Sequence, residues 1–258
     1  MNALTISLVA CALLFAGMCL AAFVSHRTGR RLVERHPETK DWNTGTVDAA
    51  ILSLLGLLTA FTFSSAYSRY DFRRQLIVQE VNAIGDAYLR LDLLSPEDQG
   101  PLRAKFREYA ESRLKIWELL PDREAALAEH ARSEEIQQAI WSDAISASKN
   151  APHPDAGKLL LPALNEMIDI TTTRLIAVQA HPPLIIFLLL GVLSVAAAGI
   201  VGFGMVKAER LSYLHAIGFA AVVSFALFVI LDIEYPRHGL VTLDMAHELL
   251  RELEQKMQ

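Results

Sequence analysis

Residues 3 to 24, ALTISLVACALLFAGMCLAAFV, carry no charge in 22 positions, and residues 184 to 206, LIIFLLLGVLSVAAAGIVGFGMV, carry none in 23. A helix rises about 1.5 Å per residue, so either run reaches across a hydrocarbon layer about 30 Å thick. Residues 49 to 67 and 211 to 231 read the same way, which makes four spanning helices. The apolar share of 52% against 21% charged residues is therefore concentrated, not diffuse: residues 68 to 183 carry 14 Lys and Arg against 18 Asp and Glu. That segment has the composition of a domain that folds in water.

The first run is expected to be a retained helix. A secretory signal opens on positive charge and holds about 7 to 15 apolar residues, whereas the first Lys or Arg here is Arg27. The tetrapeptide ending at Cys11 resembles a bacterial lipoprotein box, but only seven residues precede it and none is basic. Cys11 and Cys19 both lie in this run, which argues against a disulfide framework and a zinc site. A net charge of -5 gives no basic footprint, so nucleic acid is not an expected partner.

The expected fold is an all-α membrane protein with a helical extramembrane domain inserted between the second and third spans. Residues 1–67 hold spans 1 and 2, 68–183 the domain, 184–231 spans 3 and 4, and 232–258 a tail. The second span runs on without a breaker, with Leu76, Ile77, Ile84, Tyr88 and Leu91 at helical spacing as far as Pro96. Pro101 is expected to open a helix ending near Leu120, and Pro121 the next. Residues 150 to 157 read as a loop, with a last domain helix from about Leu160 to Ala180. Gly239 to Leu243 suits one short extended piece. Beyond it, Leu243, Ala246, Leu249, Leu250, Leu253 and Met257 share one side of a terminal helix that needs a partner surface.

Orientation follows from the short connections. Arg27, Arg30, Arg31, Arg35 and Lys40 occupy the first, and Lys207 and Arg210 the third, which puts both in the cytoplasm and the domain outside. Arg69, Arg73, Arg74 and Arg237 pull the other way, but long domains translocate despite their charge.

No catalytic motif is present, neither a nucleophile elbow nor a phosphate loop nor a zinc-protease pair, so an enzyme is not expected and no cofactor is implied. His130 and Glu134 stand four apart and could hold a metal, though a solvated pair is the commoner meaning. His215 suits an interfacial position.

The informative element is the second span. Leu57, Phe61, Ser64 and Ser68 follow one another by four, three and four residues and so form one stripe. Thr59, Thr62, Ser65 and Arg69 form a neighbouring one. Bulk at one level and hydroxyls at another suit a pore helix, where a constriction sheds water and polar groups replace hydration. The same pattern suits ordinary packing, because Ser and Thr can bond back to their own helix. Farther along, Glu80, Asn82 and Asp86 are polar positions that could line a vestibule, or form helix-stabilising pairs. In the third span, Gly191, Ser194, Ala198 and Gly202 lie along one side and are read as a helix-contact face.

The run SRYDFRRQLIVQEVNAIGDAYLRLDLL, beginning at Ser68, and the run LDIEYPRHGL, beginning at Leu231, resemble the signatures of a bacterial membrane family described as bestrophin-like. With the four-span layout, the resemblance covers most of the chain. It implies a further likeness to bestrophins, which are pentameric anion channels with a hydrophobic neck on the second spanning helix. Phe61, eight residues before Arg69, matches a neck aromatic, with Leu57 one turn earlier. Tyr70 stands where the bestrophin tryptophan follows the arginine. The acidic cluster that binds calcium in eukaryotic bestrophins is absent here, so calcium gating does not carry over. Bestrophins keep the corresponding domain in the cytosol, against the charge count above.

The resulting expectation is a homo-oligomer in the lipid bilayer of a bacterial inner membrane, a pentamer by resemblance, passing small inorganic ions. Leu57 and Phe61 would constrict the pore and Ser64 and Ser68 would line it. Arg69 would bias it toward anions unless Asp71 neutralises it. The rival is a membrane-anchored sensor or scaffold whose helical domain binds a ligand or partner, with no pore.

Overall fold

The computed structural model describes residues 3–38, 45–119, 122–208, 213–236 and 240–257. Lys40, Leu120, Pro121, Arg210, Arg237, His238 and Gly239, invoked above, lie outside them, as does the start of the fourth span at Leu211 and Ser212. The described residues are helical with no strand. In chain order the helices are α1 (Ala3–Arg35), α2 (Gly45–Leu89), α3 (Pro96–Glu118), α4 (Arg123–Lys149), α5 (Ala156–Gln179), α6 (Leu184–Gly204), α7 (Tyr213–Glu234) and α8 (Asp244–Lys256). Among the described residues, four helices are long and apolar enough to cross a membrane by length and composition.

The chain forms two compact units, Met1–Tyr70 with His181–Thr242, and Asp71–Ala180 with Leu243–Gln258. Helix α2 contributes to both.

In the first unit α1 packs along α6 and α7. Lipid tails are as apolar as the side chains, so these contacts rest on close packing more than on expulsion of water. Met18, Ala22, Ala198 and Ala220 are buried there, and Ser194 is fully enclosed with its hydroxyl donating to the Leu190 carbonyl at 2.6 Å. Gly202 marks the tightest approach. A Cβ at that position would stand 2.7 Å from the Ala22 Cα, so only glycine fits. At Gly191 nothing lies within 4 Å of such a Cβ. Leu55 and Ala66 of α2 pack with Leu190, Ala197, Leu227 and Ile230 of α6 and α7.

The second unit is built around Ile84, Leu91, Phe106, Tyr109, Ile140, Leu160, Leu164 and Met167, all fully buried. Each such side chain contributes about 1.5–3 kcal/mol by leaving water. Helices α3 and α5 start earlier than the sequence suggests, and α4 begins at Arg123. Ser95 caps α3, accepting from the Asp98 N–H, and Pro96 sits at the first helical position. Pro101 thus lies inside α3 instead of opening it. Asp122 caps α4 by accepting from the N–H groups of Glu124 and Ala125 at 3.1 and 3.2 Å. Helix α5 begins at Ala156, four residues before Leu160, and carries Pro162 inside it. At its far end the buried Arg73 donates to the Ala177 and Ala180 carbonyls at 3.0 and 2.8 Å, satisfying groups that the helix leaves open.

The expected tail divides differently. Helix α7 continues to Glu234, and α8 packs against α3 within the second unit, with Leu250 and Met257 buried and Leu249 exposed. Leu240 to Leu243 is not extended strand. The N–H groups of Leu240 and Val241 donate to the Asp232 carboxylate at 2.9–3.1 Å.

Candidate functional site

Helix α2 has two distinct faces in the first unit. Leu55, Thr62 and Ala66 point into the bundle, whereas Leu57 and Phe61 are 52% and 62% exposed and Ser64 and Ser68 are exposed with them. The neighbouring hydroxyl stripe is split. Thr59 and Thr62 donate back to the Leu55 and Leu58 carbonyls at 2.7 and 2.8 Å, while Ser65 is exposed.

Arg69 follows the inward face. Its Nε and Nη2 donate to the Glu234 carboxylate at 2.9 and 2.7 Å. Glu234 is fully buried at the end of α7, and its other oxygen lies 3.0 Å from Nδ1 of His181. His181 stacks on Tyr235 with ring centroids 4.7 Å apart. Tyr70 donates to the Thr242 carbonyl at 3.1 Å. A fully buried carboxylate is tolerable only when paired in this way, here by a forked guanidinium and an imidazole. The run beginning at Ser68 and the run beginning at Leu231 therefore meet in space, through Arg69 and Glu234.

A family model, the bestrophin-like domain, matches residues 13–244. The chain belongs to the bestrophin-like family. No curated relative and no solved structure matches it.

Several placements in this bestrophin-like chain depart from the sequence-based expectation. Arg69 does not join the exposed stripe, and its partner is Glu234 instead of Asp71, which pairs with Arg74 at 2.9 Å and accepts from Gln75. Glu80 is not a vestibule residue within the second unit. It is fully buried between Arg113, whose Nε donates to it at 2.6 Å, and Arg174, while Asn82 and Asp86 are exposed. The periodicity hid this because Glu80 falls on the same helix face as Leu76, Ile77 and Ile84, and its charge is tolerated only through partners from α3 and α5. Burial pushes the Arg113 guanidinium down, and brings Arg174 to about 10.

Beside that cluster, His247 stacks on Trp117 with centroids 3.6 Å apart. Its Nδ1 lies 2.9 Å from the Leu243 carbonyl, which can only accept, so Nδ1 carries the proton and Nε2 is left as a buried acceptor without a partner. Burial pushes this imidazole down to about 4. The Leu243 carbonyl and Asp244 oppose the shift, and the positive Arg174 and Arg113 reinforce it.

Among the described residues no group of three or more His, Cys, Asp and Glu could hold a metal ion, and His130 and Glu134 form a 3.6 Å pair along one helix. Sequence reasoning missed His181, Asp232 and Glu234 as site residues. The available signal was two carboxylates at the end of an apolar span, since ionisable groups there need partners.

Proposed function

We propose that this bestrophin-like, multi-pass membrane protein conducts small inorganic ions passively, anions ahead of cations, through a homo-oligomeric pore lined by α2. The membrane would be a bacterial inner membrane and the assembly a pentamer by family likeness. The observation that carries the reading is the unpacked stripe Leu57–Phe61–Ser64–Ser68 on a helix whose opposite face is already occupied. In an oligomer this stripe can turn to the axis, where Leu57 and Phe61 form a constriction that sheds water and Ser64 and Ser68 offer polar contacts to a partly dehydrated ion. Asn82 and Asp86 are free to line a wetter vestibule. The positive charge of Arg69 is balanced by Glu234, so it acts as half of a pair instead of a free cation.

The test is conductance of purified protein in planar bilayers beside a Phe61→Ala variant. The expected outcome is a wild-type current that the truncation increases by widening the constriction. A wild type silent under varied pH, voltage and divalent ions, or a monomer in detergent, sinks the pore and leaves the sensor or scaffold reading. For orientation we propose the helical domain outside. Of the arginines that oppose it, Arg69 and Arg74 are ion-paired and Arg73 caps α5. A Lys158→Cys variant, at a position 81% exposed, should then label with an impermeant reagent in intact cells.

A further inference from the structure

We propose that the outward face of α1 binds the phosphate of an anionic phospholipid headgroup, with Arg27 and Arg31 as its clamp. This does not depend on the pore reading above.

Helix α1 keeps two faces along its length. Met18, Ala22 and His26 are buried on one, and Gly29 continues it, where an added Cβ would stand 2.8 Å from side-chain atoms of both Phe203 and Val206. That close approach fixes the helix beyond its apolar run. On the other face Ile6, Val9, Leu13, Leu20 and Val24 are exposed, and the same stripe continues through Arg27, Arg31 and Arg35, which are exposed as well. Steps of three, four or seven residues keep all of these on one side of a helix. Apolar side chains thus give way to guanidiniums without a change of face.

The change falls at the level of the headgroups. The 22 uncharged residues from Ala3 to Val24 span about 33 Å, close to the thickness of a hydrocarbon layer, and Arg27 and Arg31 follow within about the next 10 Å. Acyl chains lying along Leu20 and Val24 bring their phosphate to those two side chains. The arginines stand one turn apart, and both can fork onto its oxygens.

Charge selects the kind of lipid. Among the described residues Arg27, Arg31 and Arg35 meet no carboxylate, because Glu34 pairs with Arg30 at 3.6 Å and Glu38 with His36 at 3.1 Å. A zwitterionic lipid brings an ammonium of its own, which three uncompensated guanidiniums repel. An anionic headgroup brings only the charge they lack. Thr28 takes no part, since its hydroxyl donates to the Val24 and Ser25 carbonyls at 2.9 and 3.1 Å. Each arginine beside an anionic headgroup is worth roughly a fivefold preference, so the clamp should give about tenfold or more.

The experiment incubates the full-length protein in neutral detergent with equal amounts of phosphatidylglycerol and phosphatidylcholine, and counts the lipids it retains by native mass spectrometry. The wild type should keep phosphatidylglycerol over phosphatidylcholine by about tenfold or more. The Arg27→Gln/Arg31→Gln variant should hold the two nearly alike, whereas Arg30→Gln, whose guanidinium already has a partner, should retain the wild-type preference. If the double variant does not fold, Arg27→Gln and Arg31→Gln singly should each lower the preference by about fivefold. A wild type that holds both lipids equally overturns the proposal. So does a glutamine variant that keeps the full preference, the result expected if the arginines served only to orient the chain in the membrane. An equal loss in Arg30→Gln overturns it too, by reducing the effect to net charge. Inorganic phosphate at constant ionic strength should raise the thermal midpoint of the wild type and the double variant alike. A rise confined to the wild type assigns the clamp to the free anion and overturns the lipid reading.

Discussion

Between Gly45 and Tyr70, α2 buries Leu55 and Ala66 and turns Leu54, Leu57, Phe61, Phe63 and Tyr67 outward, whereas from Asp71 to Leu89 it buries Leu76, Ile77, Ala83, Ile84 and Ala87 and leaves Phe72, Val78 and Leu89 exposed. One helix thus follows two rules because its two halves have different solvents. Lipid, or another copy of the chain, accepts large apolar side chains that water would expel. Each unit also holds one buried carboxylate between two basic side chains. Glu80 has two arginines that are 6% and 16% exposed, and Glu234 has an arginine and a histidine at 27% and 34%. The first trio is shut off from water, whereas the partners in the second are only partly buried.

The comparison can be broken most severely at Glu80. Glu80→Ala strands two guanidiniums in the bundle and should lower stability by about 3–5 kcal/mol, read as a fall in the thermal midpoint of the full-length protein in detergent. A loss below about 1 kcal/mol would mean the trio is solvated after all. Acid comes next. An unfolded histidine takes up its proton near pH 6.5, while folded His247 resists down to about 4, so the unfolded state binds more protons across that window. The contribution is complete above about pH 6.5 and shrinks as pH falls toward 4, by about 3 kcal/mol in all. His247→Phe, which keeps the stack on Trp117, should flatten that part of the stability-versus-pH curve. In the membrane unit, Gly202→Val drives side-chain atoms into the Ala22 backbone and should cost about 1–3 kcal/mol, seen as a lower midpoint and reduced yield of folded protein. Phe61→Ala is the smallest effect on stability, within about 0.5 kcal/mol, because the ring touches little in a single chain. A large loss there would show that the stripe is packed in the assembly, which sharpens the contrast with Leu76 and Ile77.

The four spans and the helical character of the described residues between 71 and 180 are legible in sequence because each is a local pattern of charge or period. The helix starts were less so. Pro101 looks like a boundary, yet Ser95 and Pro96 already start α3, and Pro101 falls in its second turn, where it forfeits one backbone bond on a helix held by its buried face. The ionic trios were not legible at all. Arg69 and Glu234 are separated by 165 residues, and Glu80 lies 33 residues from Arg113. Opposite charges so far apart have no periodicity to betray them.

By itself the sequence determined that this chain crosses a membrane and folds as helices, because uncharged runs of 22 and 23 residues have no soluble alternative of that length. It also singled out the runs beginning at Ser68 and Leu231 as distinctive. Only the tertiary structure decided what those runs do to one another. The direction in which Arg69, Glu80 and Glu234 point depends on which helices lie opposite, and a buried charge takes its role from the partner that neutralises it.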